Sequence, residues 1–229
     1  MDERGGNMGK LRHVETLGVN PGALVILTGP TAAGKTEIRE RMTKAEPGKY
    51  KPLVTTTSRQ RRESEREGID YHFVSPTDFL AGLGAGLFVE HAEYGGNLYG
   101  TTKQELERIL EGQTLISTME ISGAATFETH VRRVYDADTA ERILSRTLVV
   151  FIDPGSIEVQ RKRYEKREKG LGSFAVRTVQ DTDMIEEYEG RFINRVLNEE
   201  GLVEKTIAAI KNLVKEKFPD LEKDEKPTS

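Results

Sequence analysis

Residues 23–36 read Ala23-Leu24-Val25-Ile26-Leu27-Thr28-Gly29-Pro30-Thr31-Ala32-Ala33-Gly34-Lys35-Thr36. An apolar run passes directly into a complete G-x-x-x-x-G-K-T loop, the pattern of a strand that turns through a phosphate cradle into a helix. The loop residues Gly29, Pro30, Thr31, Ala32, Ala33 and Gly34 wrap phosphate oxygens with inward-turned backbone. Lys35 is expected to reach the β- and γ-phosphates, and the Thr36 hydroxyl to ligate Mg²⁺. A helix opening at Thr36 adds its positive end to the same anion site. The segment reads as a nucleoside triphosphate site.

Working outward, strands are expected at 23–28, 53–57, 114–119, 147–152 and 194–198, and helices at 35–45, 102–111, 122–133, 156–168, 178–190 and 202–216. Strand and helix alternate, as in a parallel sheet covered on both faces. Leu24–Leu27 and Leu148-Val149-Val150-Phe151-Ile152 are continuous apolar runs, which suits strands buried on both sides. The fold class is α/β: a P-loop three-layer fold with a central parallel sheet, and phosphate chemistry at its carboxyl edge. Two stretches break the alternation. Residues 58–101 carry short β-like pieces and one helix after the Ser75-Pro76-Thr77-Asp78 start signal, and read as a small mixed α/β insertion. Residues 158–180 are densely charged around Gly170 and Gly172 with few apolar anchors, which suits a helical lid. The core is then 21–57, 102–157 and 181–217, between a flexible lead-in at 1–20 and a charged, frayed tail at 218–229.

Composition narrows the function classes. The 229 residues suffice for one large α/β unit. The net charge of −4 with 31% charged residues gives no global basic field, so nucleic acid is not an expected partner. There is no cysteine, which removes disulfides, thiolate metal sites and thiol catalysis. No apolar stretch approaches the roughly 18 residues of a membrane span. Met1-Asp2-Glu3-Arg4 lacks the apolar region of a signal peptide, so the expected setting is cytoplasmic with no membrane contact.

After the second expected strand comes Thr55-Thr56-Thr57-Ser58-Arg59-Gln60-Arg61-Arg62, continuing through Glu65 and Gly68 to Tyr71-His72-Phe73. The spacing R-x-x-R-x-x-E-x-x-G-x-x-Y-x-F resembles that of guanylate kinases. Phe88-Val89-Glu90, followed by Asn97-Leu98-Tyr99-Gly100-Thr101, resembles the same family's F-x-E…G-N-x-Y-G-T segment. With the phosphate loop, these blocks occupy much of residues 24–102 in the family's order. The resemblance implies that ATP is bound by 29–36 with Asn198, and GMP by Thr55, Arg59, Arg62, Glu65, Tyr71, Glu90, Tyr99, Thr101 and Glu120. It assigns phosphate binding to Arg59, Arg62, Tyr71 and Tyr99, and base recognition to Glu65, Glu90, Thr55 and Thr101. The residue chemistry agrees. Planar arginines suit a phosphate dianion, and a carboxylate suits the donor edge of guanine, whereas adenine would leave it unpaired.

The lid stretch Ser156-Ile157-Glu158-Val159-Gln160-Arg161-Lys162-Arg163 through Arg167 resembles the family's S-x-E-x-L-x-x-R-L-x-x-R. This implies catalytic roles for Arg163, Arg167 and Arg177 beside Lys35. Two departures stand out. Gln160 replaces a leucine, and Thr118-Met119-Glu120-Ile121-Ser122-Gly123 replaces D-x-D-x-Q-G, so that Thr118 stands for an acid and Mg²⁺ has Thr36 with Glu120. Asp153 is read as a turn residue before a helix cap, Phe73 as core, and His72 and His91 as structural or exposed. The expected activity is transfer of the γ-phosphoryl of ATP, with Mg²⁺, to GMP or dGMP, in a monomer or weak homodimer. The alternatives are an inactive phosphopeptide-binding module of the same fold, or a P-loop kinase for another small phosphate ester.

Overall fold

The computed structural model describes residues 21–63, 65–167, 174–188 and 190–222. Along the chain the elements are β1 (Leu24–Thr28), α1 (Lys35–Ala45), β2 (Lys51–Pro52), β3 (Thr56–Thr57), β4 (His72–Phe73), α2 (Pro76–Gly84), β5 (Phe88–Tyr94), β6 (Asn97–Thr102), α3 (Lys103–Glu107), β7 (Leu115–Thr118), α4 (Ile121–Val134), α5 (Ala137–Ser145), β8 (Thr147–Asp153), α6 (Ile157–Arg167), α7 (Phe174–Glu187), β9 (Arg195–Leu197) and α8 (Val203–Lys217).

Every residue of β1 is buried, because the strand is paired on both edges and covered on both faces. It lies in the middle of a parallel sheet ordered β2-β7-β1-β8-β9. Side chains alternate across a strand, so Leu24 and Ile26 enter one core with Leu106, Phe127, Val131 and Ile143 of the α3–α5 side. Val25 and Leu27 enter the other with Ile38 and Met42 of α1 and Ile207, Ile210 and Val214 of α8. The result is the three-layer α/β fold. Leu27 pairs with Thr118 on β7 and with Val150 on β8, which fixes the carboxyl edge where the phosphate loop emerges. Among the described residues no helix is long and apolar enough to cross a membrane.

A second, mixed sheet carries the insertion, in the order β4-β3-β6-β5. Its helix α2 begins where the Ser75 hydroxyl accepts the Asp78 N–H at 3.0 Å, and it packs Phe79 on Phe88 with ring centroids 4.4 Å apart.

Several boundaries differ from those read in the sequence. The run 53–57 is not one strand. Leu53 still donates its N–H to Ile116 O, but the Val54 N–H goes to Glu105, and Thr56 and Thr57 then pair with β4 and β6 of the insertion. The helix expected over 102–111 stops at Glu107, and short i→i−3 turns carry the chain through Gly112, at φ 87°, into β7. Helix α5 adds an element to those expected, and its signal is present: the Asp136 carboxylate accepts the Thr139 N–H at 2.9 Å, and Ala140 and Ile143 share a buried face. Helix α7 opens at Phe174, earlier than 178, where its ring stands 5.4 Å from Tyr164.

The expectation of a frayed tail from 218 fails for residues 218–222. Phe218 is 1% exposed and belongs to the α1–α8 core. The Arg146 guanidinium lies 4.8 Å from its ring and bonds Asp220 at 2.9 Å. Residues 1–20, the lid segment 168–173 and residues 223–229 lie outside the described residues. Phe218→Ala is expected to lower the unfolding free energy by about 3–5 kcal/mol, the usual cost of emptying a buried aromatic site. Urea denaturation checks this, and a change below about 1 kcal/mol would place the ring outside the core.

Candidate active site

The phosphate loop leaves β1 and enters α1 through Gly34, whose φ of 96° no side chain adopts easily. A Cβ there would lie 2.3 Å from Asn198 Nδ2, so glycine is required twice over. No side chain caps α1. Its first N–H groups therefore face the loop, as an anion site demands. Ala32 holds φ at 59°, a left-handed conformation that costs a non-glycine residue roughly 1–2 kcal/mol. The loop is braced from behind. Asn198 donates to Ala33 O at 2.8 Å, and Arg163 donates to Asn198 O at 2.8 Å and to Ala33 O at 3.4 Å. Lys35 Nζ donates to Gly29 O, and to Pro30 O at 3.1 Å.

In front of the loop lies a cleft of about 270 Å³ between the central sheet and the insertion. Thr31, Ala32, Lys35 and Thr36 line its donor side, and Thr55, Arg59, Arg62, Glu65, Tyr71, Glu90 and Tyr99 its insertion side. Glu120 and Arg177 line it too. Gly29, Pro30, Ala33 and Gly34 contribute loop backbone, while Arg163 and Asn198 sit behind the loop. Arg167 ends α6, and its side chain lies outside the described residues.

Within the insertion, β5 and β6 are antiparallel, and a register shift between Phe88 and Glu90 sets Glu90 opposite Thr101. The bulge turns both side chains into one buried pocket. The Thr101 hydroxyl donates to Glu90 Oε1 at 2.6 Å, and the residues are 0% and 4% exposed. A Cβ on Gly123 of α4 would meet Glu90 Oε2 at 2.9 Å, so the first turn of that helix closes over the carboxyl. Burial pushes the Glu90 carboxyl up to about 7, against the pull of the Thr101 bonds and with help from the negative charge of Glu120.

The arginine cluster is held by Glu65. Its carboxylate accepts from Arg59 Nη2 at 2.7 Å, from the Arg62 N–H at 2.8 Å and from Arg62 Nη1 at 3.4 Å. Burial opposes charge on both Glu65 and Arg59, yet these bonds prevail: Glu65 stays below the ordinary carboxylate range and Arg59 above the ordinary guanidinium. Glu65, for which the resemblance implies base recognition, lines the cleft and has its carboxylate bonded to Arg59 and Arg62. Arg59 also lies over the rings of Tyr71 and Phe73, at 5.6 and 5.8 Å. Phe73 is half-buried and forms a platform for Arg59, where the sequence placed it in a core. Burial raises Tyr71 to about 12 and raises Tyr99 as well, so both remain phenol donors. Asp153 makes the expected turn, accepting the Gly155 N–H at 2.9 Å, while Ser156 Oγ accepts from Val159.

The sequence reading missed Arg39, Asp70, Tyr94 and Asp181. Arg39 stands one turn beyond Lys35 on the same face of α1, is 4% exposed, lines the cleft and pairs with Asp70 at 3.5 Å. Its i+4 spacing from Lys35 is the signal that could have found it. For Tyr94 and Asp181 no sequence signal exists, since their partner Thr31 is 63 and 150 residues away.

Comparison with known proteins accords with this geometry. The family model described as "Guanylate kinase" matches residues 22–217. A guanylate kinase of Salinibacter ruber is 30% identical over 196 residues, covering 83% of this chain and 96% of its own. One of Bdellovibrio bacteriovorus is 33% identical over 195 residues, covering 84% and 96%. The crystal structure of guanylate kinase from Anaplasma phagocytophilum superposes with a TM-score of 0.63 at 23% identity, covering 91% of this chain and 97% of that one, a likeness of fold. A phosphate loop and an arginine- and carboxylate-lined insertion face each other across one cleft, and the family match spans nearly all of the described residues: the chain belongs to the guanylate kinase family.

Proposed function

We propose that this chain transfers the γ-phosphoryl group of ATP to GMP, giving ADP and GDP. The observation that carries the reading is the buried Glu90–Thr101 pair, set beside Arg59, Arg62, Tyr71 and Tyr99 and across the cleft from Lys35. Guanine offers N1–H and its exocyclic amine on one edge, and two donors match one ionised carboxylate. Thr55 stands in the same cleft as a hydroxyl for the O6 side. The monophosphate is gripped by Arg59 and Arg62 and by the two phenols, with Glu65 keeping both guanidinium groups in place. The donor triphosphate lies on the loop backbone under Lys35, with Asn198 behind it.

Phosphoryl transfer needs position and charge neutralisation more than covalent chemistry. No side chain acts as a nucleophile here; an oxygen of the GMP phosphate attacks in line. Lys35, Arg177 and the lid residues Arg163 and Arg167 offset the negative charge on the two phosphates. The donor set suits Mg²⁺: the Thr36 hydroxyl and the Glu120 carboxylate reach the cleft, and no cluster of three acidic or histidine ligands exists among the described residues. An ion that takes most of its ligands from water and phosphate fits such a sparse set. When bound with ATP it would supply positive charge at the phosphates. Thr118, half-buried in the same cleft, offers a hydroxyl where an acid would have strengthened this side. The proposed setting is the cytoplasm, in keeping with a chain free of cysteine.

The direct test is a coupled assay of ADP release with a panel of nucleoside monophosphates. GMP and dGMP are expected to exceed AMP, CMP and UMP in kcat/KM by about a hundredfold or more, the scale set by leaving a buried polar group unpaired. Equal rates across the panel would remove Glu90 and Thr101 from base recognition.

A pH dependence follows from the raised Glu90 carboxyl. In the ligand-free protein its contribution to stability is fully present below 4.5, its ordinary value, and is lost as pH rises through about 7. Guanine needs the ionised form, whereas the N1 of adenine is an acceptor that the protonated carboxyl can serve. The ratio of kcat/KM for GMP over AMP is therefore expected to fall by up to about a hundredfold between pH 8 and pH 6, since the ionised fraction falls about tenfold and the protonated fraction rises about tenfold. Both nucleotides carry the same phosphate, so its own titration cancels. A ratio that stays flat over this range would show that Glu90 does not titrate against the base.

A further inference from the structure

Thr31, Tyr94 and Asp181 meet in a junction that none of these roles uses. Asp181, on α7, is 3% exposed, and its carboxylate accepts the Thr31 N–H at 2.7 Å and the Tyr94 hydroxyl at 3.0 Å. The Tyr94 oxygen also lies 2.7 Å from Thr31 Oγ1. Because a carboxylate accepts only, the proton order is set: Thr31 Oγ1 donates to Tyr94, and Tyr94 donates to Asp181. The three residues form a closed ring of bonds that joins the phosphate loop, the last residue of β5 in the insertion, and the helix after the lid. A carboxylate buried here without donors would be costly. With a backbone N–H and a phenol bound to it, the same group rigidifies the place where it sits.

One turn back on the same face of α7, the Arg177 guanidinium stands 5.6 Å from the Tyr94 ring and lines the cleft. Its charge is felt at the Tyr99 phenol. The junction therefore fixes both the strand end under Arg177 and the helix that bears it.

We propose that Asp181 and Tyr94 are positioning residues for phosphoryl transfer, docking α7 onto the phosphate loop and the insertion so that Arg177 is aimed between donor and acceptor phosphates. The strained Ala32, next to Thr31, is held in place by the same bonds. This inference rests on the transfer reading above. It assigns the charge of Asp181 to geometry, away from the reacting atoms.

The test is steady-state kinetics on Tyr94→Phe and Asp181→Asn, each alone and combined with Arg177→Ala. Tyr94→Phe keeps the ring under Arg177 and removes both hydroxyl bonds, so it carries the test if Asp181→Asn does not fold. Each is expected to lower kcat about tenfold or more while KM for ATP stays within about threefold. In the Arg177→Ala background each should add less than about twofold, because residues that act through one group are not additive. Wild-type kcat in both variants, or effects that multiply in that background, would overturn the proposal. If the wild-type protein transfers no phosphoryl group to GMP, it is the transfer reading that fails. Amide hydrogen exchange at Thr31 then decides the junction: about tenfold faster exchange in Tyr94→Phe supports it, and unchanged exchange overturns it.

Discussion

Strand β1 is bound on both edges and buried on both faces, and the donor side of the site takes its place from that constraint. Its pairing with β7 and β8 aligns Leu27, Thr118 and Val150 at one level. The phosphate loop, the Thr118–Glu120 segment and the Asp153 turn consequently leave the sheet at a common edge. Parallel strands buried on two sides tolerate little slippage, since a one-residue shift would exchange the two cores. The loop itself is a poor conformation for its own residues: Gly34 and Ala32 both sit at positive φ. Bonds from Asn198, Arg163 and Asp181 on other elements maintain it. The anion site is thus a product of the tertiary structure as much as of the motif.

The insertion holds a different kind of tension. A carboxyl is placed where burial disfavours its charge, and arginines are placed where they would repel one another. Glu65 resolves the second problem by accepting from Arg59 and Arg62 together. For Glu90 the Thr101 bonds offset only part of the desolvation. In the function proposed above, the two donors of guanine would satisfy the rest of this carboxyl's charge. A site that is unfavourable without its ligand and satisfied with it discriminates more sharply than one already paired.

Much of this was legible in the sequence where function depends on residues close together in the chain. The loop at 29–36 and the R-x-x-R-x-x-E-x-x-G-x-x-Y run are spaced by local backbone geometry, so their order survives as a readable pattern. The apolar runs of β1 and β8 likewise betray strands covered on both faces. What was not legible depends on contacts at long range. Residues 53–57 carry no sign that the chain changes sheets midway, because that follows from which edges remain unpaired. Phe73 alternates like a core residue, and only Arg59 across the ring makes it a platform. Phe218 sits in a charged stretch whose composition suggests fraying, yet α8 delivers it into the core. Tyr94 and Asp181 belong to no motif, and their meaning comes from contacts with each other, Thr31 and Arg177, all distant in sequence from at least one of them.

The central claim is that the insertion reads guanine through Glu90 and grips its phosphate with the arginine and tyrosine cluster. A crystal structure with GMP bound tests it most directly. The guanine N1 and exocyclic amine are expected within about 3.2 Å of the Glu90 carboxylate, and the phosphate at similar distance from Arg59, Tyr71 and Tyr99. A guanine ring seated away from Glu90, or a phosphate held outside that cluster, would contradict it.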